Sequence, residues 1–290
     1  MHDYLLEKRL SKEAPDLHRR VMNGVVVLQK MLESYLNWFP DYTDHSTLHS
    51  MDVLNFCNCL LGEQLSVLTV AECYALIMSC YLHDVGMGIR RDSFKTFIQK
   101  LGAEDYVRNH PEASESKIIR YFHNEFSGLF IREYSELFEI PSEELTFAIV
   151  QISRGHRKTD LYDQNEYPDI RTSYGIIRTA YLAAVLRLAD EIDVGVDRNP
   201  ELLFDISGID DKYQLDIFGI HESIRMVDVS QDAITLHVKP KEPRFIPMID
   251  DCAQKIRDTL NYCRDVAIRR SDLKITQEKV EVIYHPLCQP

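Results

Sequence analysis

An apolar run from Tyr74 to Leu82 ends in His83 and Asp84, and this feature constrains the fold more than any other. The run is apolar nearly all round, which is typical of a helix buried at the centre of a helical bundle. The preceding segment Thr69–Glu72 has the pattern of a capping box and predicts where this helix begins. Gly86 follows two residues after the carboxylate and predicts the helix end. The imidazole and the carboxylate are both metal ligands by type.

Two more polar residues stand where a bundle could bring them to this His-Asp pair. His49 lies on a predicted helix from Ser46 to Leu61. Asp190 lies near the end of the segment Ser173 to Ile192, which is the most strongly apolar predicted helix of the chain. Burying a carboxylate there is costly unless it meets a cation. The sequence therefore favours Asp190 as a metal ligand.

The order of these residues resembles the HD superfamily of metal-dependent phosphohydrolases: a histidine, then a His-Asp pair, then an aspartate, each on its own helix. The resemblance covers roughly residues 40 to 198, and its specificity comes from the whole set. It implies a mainly α HD-domain helical bundle. It also implies hydrolysis of a nucleotide or a related phosphoester by a metal-activated hydroxide, with Asp84 bridging two divalent ions.

Branches of the superfamily with two metal ions carry one further histidine after the His-Asp pair and another on a later helix. His110 and His156 match these positions, and His123 is the competitor for either place. The resemblance thus implies the ligands His49, His83, Asp84, His110, His156 and Asp190. Imidazole-rich sites favour Mn, Fe, Co, Ni or Zn, with Mg as the alternative, because Mg prefers all-oxygen ligands.

Basic side chains near the predicted ligands are candidates for binding the substrate phosphate. They are Arg90, Arg154, Arg157 and Lys158. His45 and Arg187 are candidate catalytic residues, together with Asp84. The plain structural interpretations are a solvated helix cap for Arg90, a helix cap for His45 and an ion pair with the nearby aspartate for Arg187.

The segments between the predicted ligands add three expectations. A helix is predicted to begin at His110-Pro111-Glu112 and run to Phe122, since proline is favoured in a first turn. Another helix is predicted from Ser142 to Arg154. The polar segment from Asp160 to Arg171 predicts a loop over the site.

Beyond Pro200 the pattern changes to a mixture of strands and helices. Alternation with period two predicts a β-hairpin, which a long amphipathic helix and a further strand follow. The predicted elements are a helix over 211–222, strands over 224–229 and 233–238, a helix over 246–269 and a strand over 279–284. The chain therefore divides into an HD-type helical domain, 1–198, and a small C-terminal α+β subdomain, 199–290.

The amino-acid composition limits the kinds of partner that the protein can bind. The net charge of −13 disfavours extended nucleic acid, because phosphate affinity needs clustered Lys and Arg. A small phosphorylated substrate, most simply a nucleotide, fits better. Seven cysteines without a CxxC pair predict reduced thiols, and no apolar run approaches the roughly 18 residues of a membrane span. We expect a cytoplasmic protein without membrane contact, and leave open a homo-oligomer or a protein partner bound through the C-terminal subdomain.

Three alternatives to a nucleotide phosphohydrolase stay open. They are a single-strand nuclease of a bacterial defence system, a di-iron oxygenase that uses the same ligand types, and a nucleotide-binding regulatory module with a non-catalytic metal site. Negative charge disfavours the nuclease. The chain also lacks the adjacent His-His pair of CRISPR-type nucleases and the Gly-Tyr-Pro signature of cyclic-dinucleotide phosphodiesterases.

Overall fold

The computed structural model describes residues 5–32, 47–157, 159–198 and 212–286. These residues form a mainly α-helical bundle with a small sheet near the C-terminus, as the sequence predicts. The helices are α1 (Leu5–Glu13), α2 (Pro15–Leu32), α3 (Thr47–Leu61), α4 (Val70–Leu82), α5 (Phe94–Leu101), α6 (Glu104–Asn109), α7 (Glu115–Glu133), α8 (Glu143–Arg154), α9 (Thr179–Ile192), α10 (Lys212–Ser223) and α11 (Phe245–Arg270). The strands are β1 (Asp169–Thr172), β2 (Gly175–Arg178), β3 (Ile224–Val229), β4 (Ala233–Val238) and β5 (Lys279–Tyr284).

Helix α4 is the central helix of the bundle. Every residue from Ala71 to Leu82 is buried, and α1, α2, α3, α8 and α9 pack around it. The predicted capping box is confirmed: the Thr69 hydroxyl accepts from the Glu72 amide at 3.1 Å, and the Glu72 carboxylate accepts from the Thr69 amide at 2.8 Å. The two residues that follow α4, His83 and Asp84, are therefore held at a fixed place inside the bundle.

A short 3₁₀ turn, Val85–Gly88, comes directly after this pair and lies against α7. A Cβ atom on Gly86 would lie only 2.3 Å from the carbonyl oxygen of His123 and 2.5 Å from the amide nitrogen of Ser127. The Gly86 amide donates to the Ser127 hydroxyl at 2.9 Å. Only glycine leaves room for the α7 backbone at this distance. Gly86 therefore determines how closely α7 packs against the end of α4.

The C-terminal part forms a three-stranded sheet and the long helix α11. The predicted hairpin is confirmed as the antiparallel pair β3–β4, and β5 lies parallel to β4 with Lys279 opposite Ala233. Helix α11 packs on α9 and β5, and its buried side chains belong to the same hydrophobic core as the bundle. The boundary between 198 and 199 adjoins residues outside the described ranges, so the division into two domains stays a prediction.

Helix α7 begins later than the sequence predicts. Pro111 and Glu112 lie in a turn, and the helix starts at Glu115 with Ser114 as its N-cap, whose hydroxyl accepts from the Lys117 amide at 3.3 Å. The favourable first-turn position of proline suggested the earlier start. The serine cap decides the observed one, because its oxygen satisfies a backbone donor at the helix end.

Residues 169–178 form a β-hairpin that the sequence pattern does not predict. They were expected to be loop and the first turns of an apolar helix, whereas β1 and β2 pair antiparallel and α9 begins only at Thr179. Arg178 ties the hairpin to α4, since its Nε atom donates to the buried Glu72 carboxylate at 2.7 Å and its amide at 3.0 Å. This long-range ion pair outweighs the local helical pattern.

The cysteines and the hydropathy of the helices bear on the environment of the protein. Cysteines within the described ranges are all outside disulfides, and most of them are buried. None of the helices described is both long enough and apolar enough to cross a bilayer.

Candidate metal centre

Six side chains from five segments meet at one end of α4. They are His49 from α3, His83 and Asp84 after α4, His123 from α7, His156 after α8 and Asp190 from α9. They form one group of His49, His83 and Asp190 and a second of Asp84, His123 and His156; within each group the potential ligand atoms lie within 4.8 Å of one another. All are buried except Asp190, which is half-buried. The bundle therefore gathers nitrogen and oxygen donors in two adjacent sets.

The Asp84 carboxylate joins the two groups. Its Oδ2 atom lies 3.6 Å from His49 Nε2 and 3.5 Å from His83 Nε2. Its Oδ1 atom lies 3.4 Å from His123 Nε2 and 3.5 Å from His156 Nε2. One carboxylate thus presents one oxygen to each group, so a single residue could contact an ion in either group.

Asp190 closes the first group from the opposite side. Its Oδ1 atom lies 3.3 Å from His49 Nε2 and 3.7 Å from His83 Nε2. Although burial by itself raises the pKa of Asp190, hydrogen bonds to the two imidazoles hold that pKa well below its usual range. The carboxylate is therefore ionised, as a metal ligand must be.

Backbone carbonyls fix three of the imidazoles. The Nδ1 atoms of His83, His123 and His156 each donate to the carbonyl oxygen three residues earlier, at 2.8, 2.6 and 2.5 Å respectively. A carbonyl oxygen can only accept, so in the neutral ring Nδ1 carries the proton. Each Nε2 atom then presents a lone pair to the centre, in the tautomer that binds metal.

His49 is fixed by a carboxylate instead. Its Nδ1 atom lies 2.6 Å from Asp193 Oδ2, which also accepts from Arg198 Nη1 at 2.8 Å. Asp193 occupies the C-cap position of α9, and only 4% of the residue is exposed, so its carboxylate is buried rather than solvated. Asp193 and Arg198 are functional candidates that sequence reasoning missed. The only local signal was the three-residue spacing from Asp190, which puts both carboxylates on one side of α9.

The two groups differ in their protonation. Burial lowers the pKa of His123 and of His156, and neighbouring imidazoles lower that of His156 further. For His49, burial and Arg198 lower the pKa, but Asp190 and Asp193 outweigh them and raise it to about 9. The second group therefore offers neutral imidazoles, whereas a cation entering the first group would displace a proton.

The geometry of the imidazole pairs fits metal ions. The Nε2 atoms of His49 and His83 lie 3.1 Å apart, and those of His123 and His156 lie 2.9 Å apart. In the second pair both Nδ1 protons point to carbonyl oxygens, so two neutral rings direct lone pairs at each other and cannot hydrogen-bond. A shared cation satisfies both lone pairs. Four imidazoles and two carboxylates suit a first-row transition ion better than Mg²⁺.

The structure does not bring His110 into the cluster, and His123 lies where His110 was expected. His110 ends α6, where its Nδ1 atom bonds to the Tyr106 carbonyl at 2.8 Å and its ring stacks on the Tyr106 ring at 4.1 Å. The identification of His110 as a ligand is thus corrected. The reason is the later start of α7, which puts His123 two turns into the helix. The helical spacing of Ile119, His123 and Phe126, all buried, was the available signal.

Two of the arginines predicted to bind the substrate phosphate already form ion pairs with carboxylates. The exposed Arg90 pairs with Asp92 at 2.5 Å. Arg154 pairs with Glu125 at 2.9 Å and with Glu166 at 2.8 Å. Because the guanidinium of Arg154 is already neutralised, it would have to leave these partners to bind phosphate.

The remaining candidates lie close to His156 or outside the described residues. Arg187 does not pair with Asp190; its Nε atom donates to the Gly155 carbonyl at 2.7 Å and its Nη2 atom to the Thr159 carbonyl at 2.9 Å. It therefore holds the loop that carries His156. The exposed Arg157 lines a cavity beside this loop. The predictions for His45 and Lys158 fall on residues that the structure does not describe.

One comparison with known proteins finds a match. A family model described as HD-CE matches residues 39–266, which include all six converging side chains and most of α11. Searches of curated proteins and of solved structures find no match.

Proposed function

The chain belongs to the HD-CE family, and we propose that it is a phosphohydrolase that binds two divalent metal ions and acts on a nucleotide or a related phosphoester. The observation that carries the proposal is the position of Asp84. Its two oxygens face two separate groups of imidazoles at 3.4–3.6 Å. A carboxylate between two histidine groups is the ligand pattern of a two-metal hydrolytic site.

Each ion would have its own ligands. His49, His83 and Asp190 would hold the first ion with one oxygen of Asp84, and His123 and His156 would hold the second with the other. Ions bound there would activate water and neutralise charge on the phosphoryl oxygens. The chain itself orients the imidazoles through carbonyl oxygens and Asp193, and Arg187 fixes the loop that carries His156. The five candidate ligand residues other than Asp190 are buried, and this limits the access of water to the centre.

Asp84→Asn provides the test, because the amide keeps the shape of the side chain but offers neither two anionic oxygens nor a bridge. We expect the variant to lose bound metal and at least about a thousandfold in phosphate release, since removal of a catalytic metal removes the largest electrostatic contribution. Metal content would be measured by mass spectrometry and turnover on a panel of nucleoside phosphates, cyclic nucleotides and oligonucleotides. Asp92→Asn, at an exposed aspartate that pairs with Arg90, is the matched control.

Two outcomes would overturn the proposal. One is unchanged phosphate release by the Asp84→Asn variant. The other is a metal-loaded wild-type protein that binds nucleotide but releases no product from any member of the panel, which would favour the non-catalytic regulatory module.

A further inference from the structure

A cavity of about 470 Å³ lies between α9 and α11 and opens on the second group of the metal centre. His156 forms part of its wall, so a molecule in the cavity touches a residue of the cluster. The remaining lining residues are Arg157, Arg187, Glu191, Lys255, Asp258, Thr259 and Tyr262. The volume is in the range of small-molecule binding sites.

Two guanidinium groups in this wall have no carboxylate partner among the described residues. Arg187 directs its hydrogen bonds to the Gly155 carbonyl and to the carbonyl and hydroxyl of Thr159, and its Cζ atom lies 5.0 Å from the centroid of the Tyr262 ring. Arg157 makes neither a hydrogen bond nor an ion pair through its side chain within that part of the chain. Arg157, Arg187 and Lys255 together outnumber the two carboxylates of the lining, Glu191 and Asp258, and this excess of positive charge favours an anionic ligand.

The opposite wall comes from the C-terminal part of the chain. Lys255, Asp258, Thr259 and Tyr262 lie on one face of α11, at helical spacing. The Lys255 ammonium pairs with Glu191 at 2.7 Å across the cavity, although 64% of the lysine side chain is exposed. The lysine ammonium is mostly solvated although Glu191 is largely buried, so its attraction to Glu191 is screened and it can turn to a phosphate in the cavity.

Resting on the proposed function, we propose that this cavity binds a second anionic group of the substrate through Arg157, Arg187 and Lys255. The preferred substrate is then a polyphosphorylated compound rather than a simple monoester. While the metal centre holds the phosphoryl group that reacts, the cavity holds a neighbouring phosphate. Helix α11 is thereby part of the substrate site.

The test compares two non-hydrolysable probes, methylenediphosphonate and methylphosphonate, which differ by one anionic group. Calorimetry on the metal-loaded protein should show the diphosphonate binding at least about tenfold more tightly, because charge-assisted hydrogen bonds to phosphate oxygens are strong. In the Arg157→Gln/Lys255→Gln double variant that ratio should fall below about threefold. Arg269→Gln, which removes an exposed, ion-paired cation of the same helix, is the matched control and should keep the wild-type ratio.

The outcomes separate this inference from the proposed function. If the double variant keeps the wild-type ratio, or if the wild-type protein binds both probes equally, the cavity does not hold a second anion, whatever the protein hydrolyses. If the ratio depends on the two cations but no phosphoester is turned over, the anion site stands and the hydrolase proposal fails. Far-ultraviolet circular dichroism of each variant excludes misfolding as the cause.

Discussion

The Asp193 carboxylate lies behind His49 and determines how that imidazole faces the metal centre. It accepts from His49 Nδ1 at 2.6 Å and from Arg198 Nη1 at 2.8 Å. In the Asp193→Asn variant the neutral amide holds the ring less firmly, and Arg198 loses its buried counter-charge. We expect metal affinity to fall roughly 10- to 100-fold, as is usual when a carboxylate behind a histidine ligand is removed. Competition with a chromogenic chelator measures that affinity.

The control for this prediction is Asp216→Asn. It removes another partly buried aspartate that pairs with an arginine, Arg244, at 2.7 Å but belongs to the C-terminal part. Both variants should lose some stability, whereas only Asp193→Asn should weaken metal binding. Equal metal affinities in the two variants would show that Asp193 has only a structural role.

At the residue scale, the sequence identified those members of the cluster whose local context is unusual. Asp190 stood out because a carboxylate ends a strongly apolar helix, and His83 and Asp84 because they end another. His110 and His123 could not be told apart in this way, because both lie on or near the same predicted helix. The Ser114 cap leaves His110 outside α7, whereas His123 lies on the buried face of that helix with Ile119 and Phe126. Arg198 was not recognised although its partner Asp193 is only five residues away, because local sequence does not show that both residues are buried behind His49.

At the scale of elements, the contact between α7 and the turn after α4 determines whether the second group of ligands can form. A Cβ atom on Gly86 would lie 2.3 Å from the His123 carbonyl, which belongs to a ligand residue. Gly86→Ala must therefore push α7 outward. We expect a loss of about 1–3 kcal/mol in the free energy of unfolding, typical of overpacking, and loss of one of two bound ions. Urea unfolding and metal stoichiometry measure the two effects.

Gly102→Ala is the matched control for this displacement. Gly102 has a φ of 68° and open space around it, so alanine there costs about 1 kcal/mol of backbone strain without a steric clash. Its metal stoichiometry should stay that of the wild type. A Gly86→Ala protein with both ions and wild-type stability would contradict the assigned role of this contact.

Helix α10 should make the fold sensitive to acid through His221. Burial, with help from the nearby Arg198 charge, lowers the pKa of this histidine to about 4, although Asp193 and the carbonyls of Val194 and Gly195 raise it. The unfolded chain takes up this proton near its ordinary value of about 6.5. Stability from this group is therefore full above pH 6.5 and is lost progressively between pH 6.5 and about 4, by up to about 3 kcal/mol.

The His221→Gln variant tests the predicted loss of stability at low pH. It should lose less unfolding free energy than the wild type when the pH falls from 7.5 to 4.5, because glutamine cannot take up the proton. Urea unfolding of the metal-free proteins at both pH values gives the comparison. His110→Gln, at a half-buried histidine of α6, is the control. Equal losses in the His221→Gln and wild-type proteins would refute the prediction.

The elements that the sequence predicts well are those whose signals are local. Periodicity and the capping box located α4, and alternation located β3, β4 and β5. The β1–β2 hairpin was missed because Ile176 and Ile177 continue the apolar pattern of α9. What holds this hairpin is Glu72 on α4, a partner more than a hundred residues away from Arg178. No window of local sequence contains that interaction.

At the scale of the whole molecule, the metal centre depends on segments that only the complete bundle brings together. Its ligand residues extend from His49 on α3 to Asp190 on α9, and α9 is in turn covered by α11. The sequence predicted the helices but not that α11 would lie on α9, because the apolar faces of two amphipathic helices do not encode their pairing. The unfolded chain cannot form this arrangement, so a metal ion bound there would couple its binding to folding.

This coupling leads to a prediction for the whole fold. A ligand that binds only the folded state stabilises it by about 4 kcal/mol at a free concentration a thousand times its Kd. Chelation of bound metal should therefore lower the Tm by roughly 6–7 °C, with recovery on adding Mn²⁺ or Zn²⁺. Asp84→Asn should abolish most of this response, and Asp92→Asn should keep it. Differential scanning calorimetry measures all three proteins. If the wild-type Tm is the same with and without metal, the converging imidazoles and carboxylates are structural polar groups, and both the phosphohydrolase proposal and the bridging role of Asp84 must be abandoned.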